Sequence, residues 1–157
     1  LDAGNARYSP LAQIDSSNAA KLAVKWAFDL PAGASVGSST PIVVNGTMYF
    51  NSGSRLFAVD AATGMQRWQR QIEPAFNAGG RGPAYGDGKV FATGRSVLYA
   101  VDAETGAPAL SFGTRGTLHV LRDALRFKDP DTYQADLDPE AIGYQVSASR
   151  TYVSGTR

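Results

Sequence analysis

Apolar residues fall in short runs through the middle of the chain, and each run is cut by Gly, Asn or Asp. Ile42-Val43-Val44 and Thr47-Met48-Tyr49-Phe50 flank Asn45-Gly46, while Pro83-Ala84-Tyr85 and Lys89-Val90-Phe91-Ala92 flank Asp87-Gly88. Both dipeptides suit a type I′ turn, whose two central residues need positive φ, so each group predicts a β-hairpin. A third strand follows in each case, Leu56-Phe57-Ala58-Val59 and Val97-Leu98-Tyr99-Ala100-Val101. Asp60 and Asp102 begin the next turn, with Gly64 and Gly106 at its permissive position. A further strand is expected from Met65 to Ile72. These runs lack the three- and four-residue spacing that helical repeats would need.

The pattern is written twice. The stretch from Ala58 to Trp68, with its Asp-Ala-Ala-Thr-Gly core, returns from Ala100 to Leu110, and the step from Gly64 to Gly106 is 42 residues. In the same register Pro41 maps onto Pro83, Asn45-Gly46 onto Asp87-Gly88, and Trp26 onto Trp68. A fixed step of this size marks a solenoid, propeller or array, and four short strands in about 40 residues make one propeller blade. The Gly-His and Trp-Asp pairs of WD repeats are missing. The expected fold class is therefore all-β, a partial β-propeller of about two complete four-stranded blades with part-blades at each end.

The expected boundaries are an N-terminal segment and closing strand at 1–39, a blade at 40–72, a second at 82–112, an insertion at 113–142, and the start of another blade at 143–157. Asp15 or Ser16 can cap a helical turn over Ala19-Ala20-Lys21. Leu22, Val24, Trp26 and Phe28 alternate as one face of a strand. Trp26 and Trp68 suit packing between blades, and Leu110 is the expected third member of that set. Within the insertion, Leu121 to Phe127 can form a short helix that Pro130 stops from extending. The chain is shorter than four such blades, whereas closed propellers have about 4–8. It therefore reads as an excerpt of a larger ring, expected to be poorly stable or self-associating, and inactive, if made alone.

Composition narrows the chemistry. A net charge of +1 offers no field to steer nucleic acid. No apolar stretch is long enough to span a membrane as a helix. The chain has no cysteine, which excludes disulfides, thiolate metal sites and cysteine nucleophiles. His119 is the only histidine, so no His-paired nucleophile or multi-His metal site forms within the chain. The acidic stretch from Asp129 to Glu140 has Gln134 where a calcium loop needs its turning Gly. Gly86-Asp87-Gly88-Lys89 is followed by Val90 where a phosphate loop needs Ser or Thr. A solvated loop and a hairpin turn are the better readings.

The pattern Ala-x-Asp-x-x-Thr-Gly-x-x-x-Trp, complete from Ala58 to Trp68, resembles the tryptophan-docking motif of the pyrroloquinoline-quinone (PQQ) dehydrogenases. Arg7-Tyr8-Ser9-Pro10-Leu11, Gln13-Ile14 and Lys25-Trp26 resemble that family's opening segment. Thr40-Pro41-Ile42-Val43-Val44 resembles its first blade strand, and Arg81-Gly82 with Tyr85 to Phe91 its second blade. The resemblance implies oxidation of a small-molecule alcohol or sugar by PQQ with Ca²⁺, in the periplasm, with electrons passed to a cytochrome or a quinone. It implies that Arg81 binds the cofactor, whose three carboxylates suit a guanidinium. It also implies that Ser147 stands for a family threonine that hydrogen-bonds PQQ. Ser38 stands where alcohol-oxidising members have a glutamate that contacts the quinone. Ala75 and Phe76 stand where many members have adjacent cysteines, and Arg150 replaces an expected proline. The first two departures fit a sugar-oxidising or divergent branch better. The family's calcium carboxylate and its aspartate base are expected beyond Arg157, so the resemblance assigns no catalytic residue and no metal ligand to this chain. The alternative is a non-catalytic propeller of PQQ-like repeats that serves as a protein-binding scaffold, similar to a barrel-assembly lipoprotein with no cofactor.

Overall fold

A computed structural model describes residues 12–37, 39–72, 81–94, 96–128 and 130. Among these residues, two antiparallel sheets of four strands each are formed. The first contains β1 (Ile42–Val44), β2 (Thr47–Ser52), β3 (Arg55–Asp60) and β4 (Gln66–Gln71), each paired with the next in sequence. The second contains β5 (Ala84–Gly86), β6 (Lys89–Gly94), β7 (Val97–Asp102) and β8 (Thr117–His119) in the same order. An α-helix, α1 (Val120–Lys128), follows β8 and contains the expected helical stretch.

Turn chemistry sets the hairpins. Asn45 and Gly46 lie at φ 48° and 73°, and Asp87 and Gly88 at 48° and 69°, the doubly positive geometry of a type I′ turn. At the next corner, Asp60 Oδ1 accepts hydrogen bonds from the Ala62 and Thr63 backbone N–H groups and from the Thr63 hydroxyl. Asp102 does the same with Glu104 and Thr105. These bonds curl the chain into Gly64 and Gly106, which close the corner at φ 76° and 70°.

The sheets meet through a shared core. Tyr49, Leu56, Ala58, Trp68 and Ile72 of the first pack against Val90, Ala92, Val97, Tyr99, Val101 and Ala103 of the second. The Trp68 indole N–H donates to the Ala103 carbonyl at 2.9 Å, and its ring lies over Gly106. A Cβ placed on Gly106 would sit 2.8 Å from that ring. Trp26 repeats the arrangement one step earlier, donating to the Ala61 carbonyl at 3.2 Å with its ring over Gly64. Both tryptophans therefore serve the packing expected of them.

Three expectations need correction. The stretch from Leu22 to Leu30 is not a strand, because no described residue pairs with its backbone. Its expected apolar face holds only in part. Leu22 and Val24 are 64% and 86% exposed, while Trp26, Phe28 and Leu30 pack on Phe50 and Phe57. Phe28 meets both phenyl rings edge-on at 5.7 Å. The 3-10 turn at Ala19–Lys21 forms, but Asn18 holds its N-cap position without a side-chain cap bond. The Asp15 carboxylate turns instead to the Ser17 N–H and hydroxyl.

The third correction concerns the fourth strand of the second sheet. The first three strands of the two sheets begin 42 residues apart, and the fourth does not. Phe57 pairs with Gln69 and Tyr99 pairs with Thr117, so six extra residues enter before Thr117. The chain starts the pairing, with Val101 opposite Pro108 and the Ala109 N–H on the Ala100 carbonyl. It then loops out through residues 110–115 and returns where the Ala100 N–H donates to the Gly116 carbonyl at 2.8 Å. Gly116, and not Leu110, occupies the place of Trp68, and Leu110 is 70% exposed. The second unit thus reaches past Phe112 into the residues assigned to an insertion. The loop brings Phe112 edge-on to Phe91 at 5.4 Å, where the first sheet has Trp68 tilted against Tyr49 at 5.9 Å.

Trp68→Ala should lower stability by about 3–5 kcal/mol, as large aromatic deletions in cores do. Gly106→Ala should destabilise as well, because its Cβ enters the indole at a positive φ. Leu110→Ser should stay within about 0.5 kcal/mol. Urea unfolding of the three variants checks the set, and a large cost at Leu110 would contradict this register.

Candidate functional site

Of the expected cofactor residues, Arg81 alone is among the described residues, on the link that leads into β5. Ser38 and Ser147 lie outside the described residues, as do Ala75, Phe76 and Arg150. Arg81 is described and exposed, three residues ahead of β5. Gly82 beside it has no room for a side chain, since a Cβ there would run into the backbone of Thr40. Thr40 leads into β1, so the entrances to the two sheets touch at the point that carries Arg81.

The link before Thr40 is anchored by polar groups in the sheet. The Ser39 N–H donates to the Val36 carbonyl at 3.0 Å and closes a turn. The Ser39 hydroxyl donates to Asn51 Oδ1 at 2.9 Å and accepts from the Asn51 N–H at 3.2 Å. Next along β2, the Ser52 hydroxyl donates to the Ser35 carbonyl at 2.9 Å. Ser39, Asn51 and Ser52 are all buried. By its sequence this link is only a small-residue loop. The available signal is Asn51-Ser52, two polar residues ending a strand whose other members are mostly apolar.

A cleft of about 400 Å³ opens elsewhere between the sheets, near the Asn45 turn, bordered by Tyr49, Tyr85, Arg67, Asp102 and Glu104. Arg81 is not part of its wall. The Tyr49 hydroxyl donates to the Ala103 carbonyl at 3.1 Å, and burial holds this phenol above its usual pKa. The cleft therefore offers an un-ionised phenol and a mixed set of charges, with no group set up as a nucleophile. Among the described residues, no three His, Asp or Glu side chains come together as a metal site.

The clearest electrostatic feature is structural. Arg67 donates to the Asp60 carboxylate at 2.7 Å, tying β4 to the corner that seats Trp26. This bond, with those from Thr63, lowers the Asp60 pKa to about 2. Thr105 lowers that of Asp102 in the second sheet, where Ala109 stands at the arginine's place and brings no cation.

Comparisons with known proteins decide what this arrangement belongs to. The family model for the β-propeller domain of PQQ glucose/ethanol/alcohol dehydrogenases matches residues 1–153. The chain belongs to this family. The dehydrogenase subunit of a quinone alcohol dehydrogenase from Gluconobacter oxydans is 44% identical over 63 residues, which cover 40% of this chain and 8% of that protein. A cytochrome c-linked 1-butanol dehydrogenase from Thauera butanivorans is 46% identical over 68 residues, covering 43% of this chain and 10% of that protein. Among solved structures, the quinohemoprotein alcohol dehydrogenase from Comamonas testosteroni superposes with a TM-score of 0.62 at 28% identity, over 73% of this chain and 18% of that one. The matched stretches are thus about a tenth of the curated relatives' length and under a fifth of the solved one. The two sheets are neighbouring blades of a quinoprotein propeller, and the repeated Trp-over-Gly contact is how one blade docks on the next.

The Asp60 pKa sets a pH test for this propeller. Lowered in the folded state, it contributes stability that is fully present above the ordinary value of 3.8 and is lost as pH falls towards about 2. Urea midpoints measured from pH 5 to pH 2 should fall through that window, and Asp60→Asn should flatten part of the fall. Because the pair is exposed to solvent, 1 M salt should shrink the difference between the two proteins. Equal slopes for wild type and variant at low salt would contradict the assignment.

Proposed function

We propose that this chain supplies part of the cofactor pocket of a PQQ-dependent dehydrogenase that oxidises an alcohol or a sugar. The observation that carries the reading is the seat of Arg81. Arg81, an exposed residue, stands on a link held at the contact between two blades, next to a glycine that lets backbone approach backbone. A cation fixed in this way suits a rigid ligand that carries carboxylates, and PQQ carries three. When bound, PQQ supplies the two-electron acceptor for the reaction. Arg81 binds and orients it through charge-assisted hydrogen bonds, and Gly82 keeps the surrounding backbone close. Ser147 keeps the hydroxyl role implied by the family resemblance, and Ser38 stands at the position from which alcohol-oxidising members contact the quinone through a glutamate. The substrate's proton and the Ca²⁺ expected in this family are assigned to no side chain of this segment. The electron acceptor is a cytochrome or a quinone, as for the quinone-linked and cytochrome c-linked relatives.

The test uses the full-length protein. With PQQ and Ca²⁺ added, it should show quinone absorbance and dye-linked oxidation of ethanol or glucose. Arg81→Ala should weaken PQQ binding by a factor that corresponds to about 1.5–3 kcal/mol, the usual worth of a hydrogen bond to a charged group. No quinone absorbance, together with no turnover across a panel of alcohols and sugars, would overturn the reading in favour of a non-catalytic propeller.

A further inference from the structure

We infer that Asn51 and Ser39 are positioning residues for Arg81, an inference that rests on the cofactor reading above. Asn51 lies in β2 directly opposite Leu56, which is fully buried. Asn51 and Ser39 are 6% and 8% exposed, so neither has bulk water to fall back on. Their two hydrogen bonds, hydroxyl to amide oxygen at 2.9 Å and backbone N–H to hydroxyl at 3.2 Å, fix Ser39 against the sheet. The Ser52 hydroxyl holds the Ser35 carbonyl on the other side of the Val36–Ser39 turn. The link is therefore pinned at both shoulders to one strand of the first blade.

The pinning reaches Arg81 through backbone contact. Thr40, the residue after Ser39, presses its backbone onto Gly82, and Gly82 is joined to Arg81. The backbone that carries the guanidinium is thus held in place by a buried polar pair in the neighbouring blade. Releasing the pair lets Thr40 and Gly82 shift together, and Arg81 then samples positions that do not meet a carboxylate. The loss appears as weaker cofactor binding, because ordering that the fold had already supplied must now be supplied at binding. Asn51 and Ser39 touch no ligand in this scheme and act only through the link.

A double-mutant cycle on PQQ affinity tests the inference in the full-length protein. PQQ is titrated into cofactor-free protein and followed by the quenching of tryptophan fluorescence. In the parent, Asn51→Ala should weaken binding roughly tenfold, within the range measured for coupled contacts. In the Arg81→Ala background the same change should do almost nothing, because the side chain it positions is gone. Ser39→Ala removes the latch from its other end and should repeat both results, which covers the case in which Asn51→Ala does not fold. Equal losses with and without Arg81 would mean a general packing role and would overturn the inference. An effect of Arg81→Ala with none from either latch variant would overturn it too, while leaving the cofactor reading intact. If the parent protein binds no PQQ, both fall together.

Discussion

A four-stranded sheet has two faces, and in this fold the link from one sheet to the next is an indole resting on a glycine. Trp26 over Gly64 and Trp68 over Gly106 are the same contact made twice, each with the ring N–H on the carbonyl of an alanine that begins the corner. The ring supplies apolar area and the N–H fixes its orientation, so the contact sets both distance and angle between neighbouring sheets. Glycine is needed beneath it for two reasons that coincide. The corner closes at positive φ, and a Cβ would occupy the ring's space. The Asp and Thr of the corner keep that glycine in place through their own short bonds, which makes the Asp-x-x-Thr-Gly segment a preformed receptor for a tryptophan from earlier in the chain.

This division of labour explains what the sequence could reveal. Hairpins, corners and the pairing of three strands per sheet follow from local chemistry, because Asn-Gly, Asp-Gly and Asp-x-x-Thr-Gly each specify their own backbone. The tryptophans were legible because each lies at a fixed distance from its glycine. The fourth strand of the second sheet was not legible. Leu110 stands in register with Trp68 and is apolar, so the pattern continues on paper while the backbone has already looped away. Nothing in a count of apolar positions distinguishes a continued strand from six inserted residues that happen to begin with a leucine. The Gly113 and Gly116 that flank the return were the available hint. The segment from Leu22 to Leu30 failed for a different reason: alternation reports which side chains can face one way, and a strand also needs a partner for its backbone.

The candidate site obeys another logic. Arg81 sits on a link, and links carry no periodicity from which a role can be read. The family resemblance directed attention to it, and the contact between Thr40 and Gly82 shows why that link has a definite position. Blade docking and site construction are therefore connected. The core that holds the two sheets together also fixes the distance between their entrances, and the exposed cation is placed by that distance.

The six-residue loop shows how much variation this scheme tolerates, and where. It enters between two paired stretches of the fourth strand, after the corner has closed and before the last residues of the sheet, so neither the hairpin nor the corner is disturbed. The pairing resumes in register, with the Val120 N–H on the Ser96 carbonyl as the Ile72 N–H is on the Ser54 carbonyl. Its cost is the indole itself, since Gly116 fills the position from which a tryptophan would reach a following corner. Phe112, carried in by the loop, supplies an aromatic contact to Phe91 but has no N–H to place on a carbonyl. Such a contact fixes area without fixing orientation, so this face of the second sheet is less tightly specified than the face between the two sheets. In this chain the fourth strand lengthens on the side without an indole, and the entrances that meet at Gly82 lie between the two sheets, where the indole dock is kept.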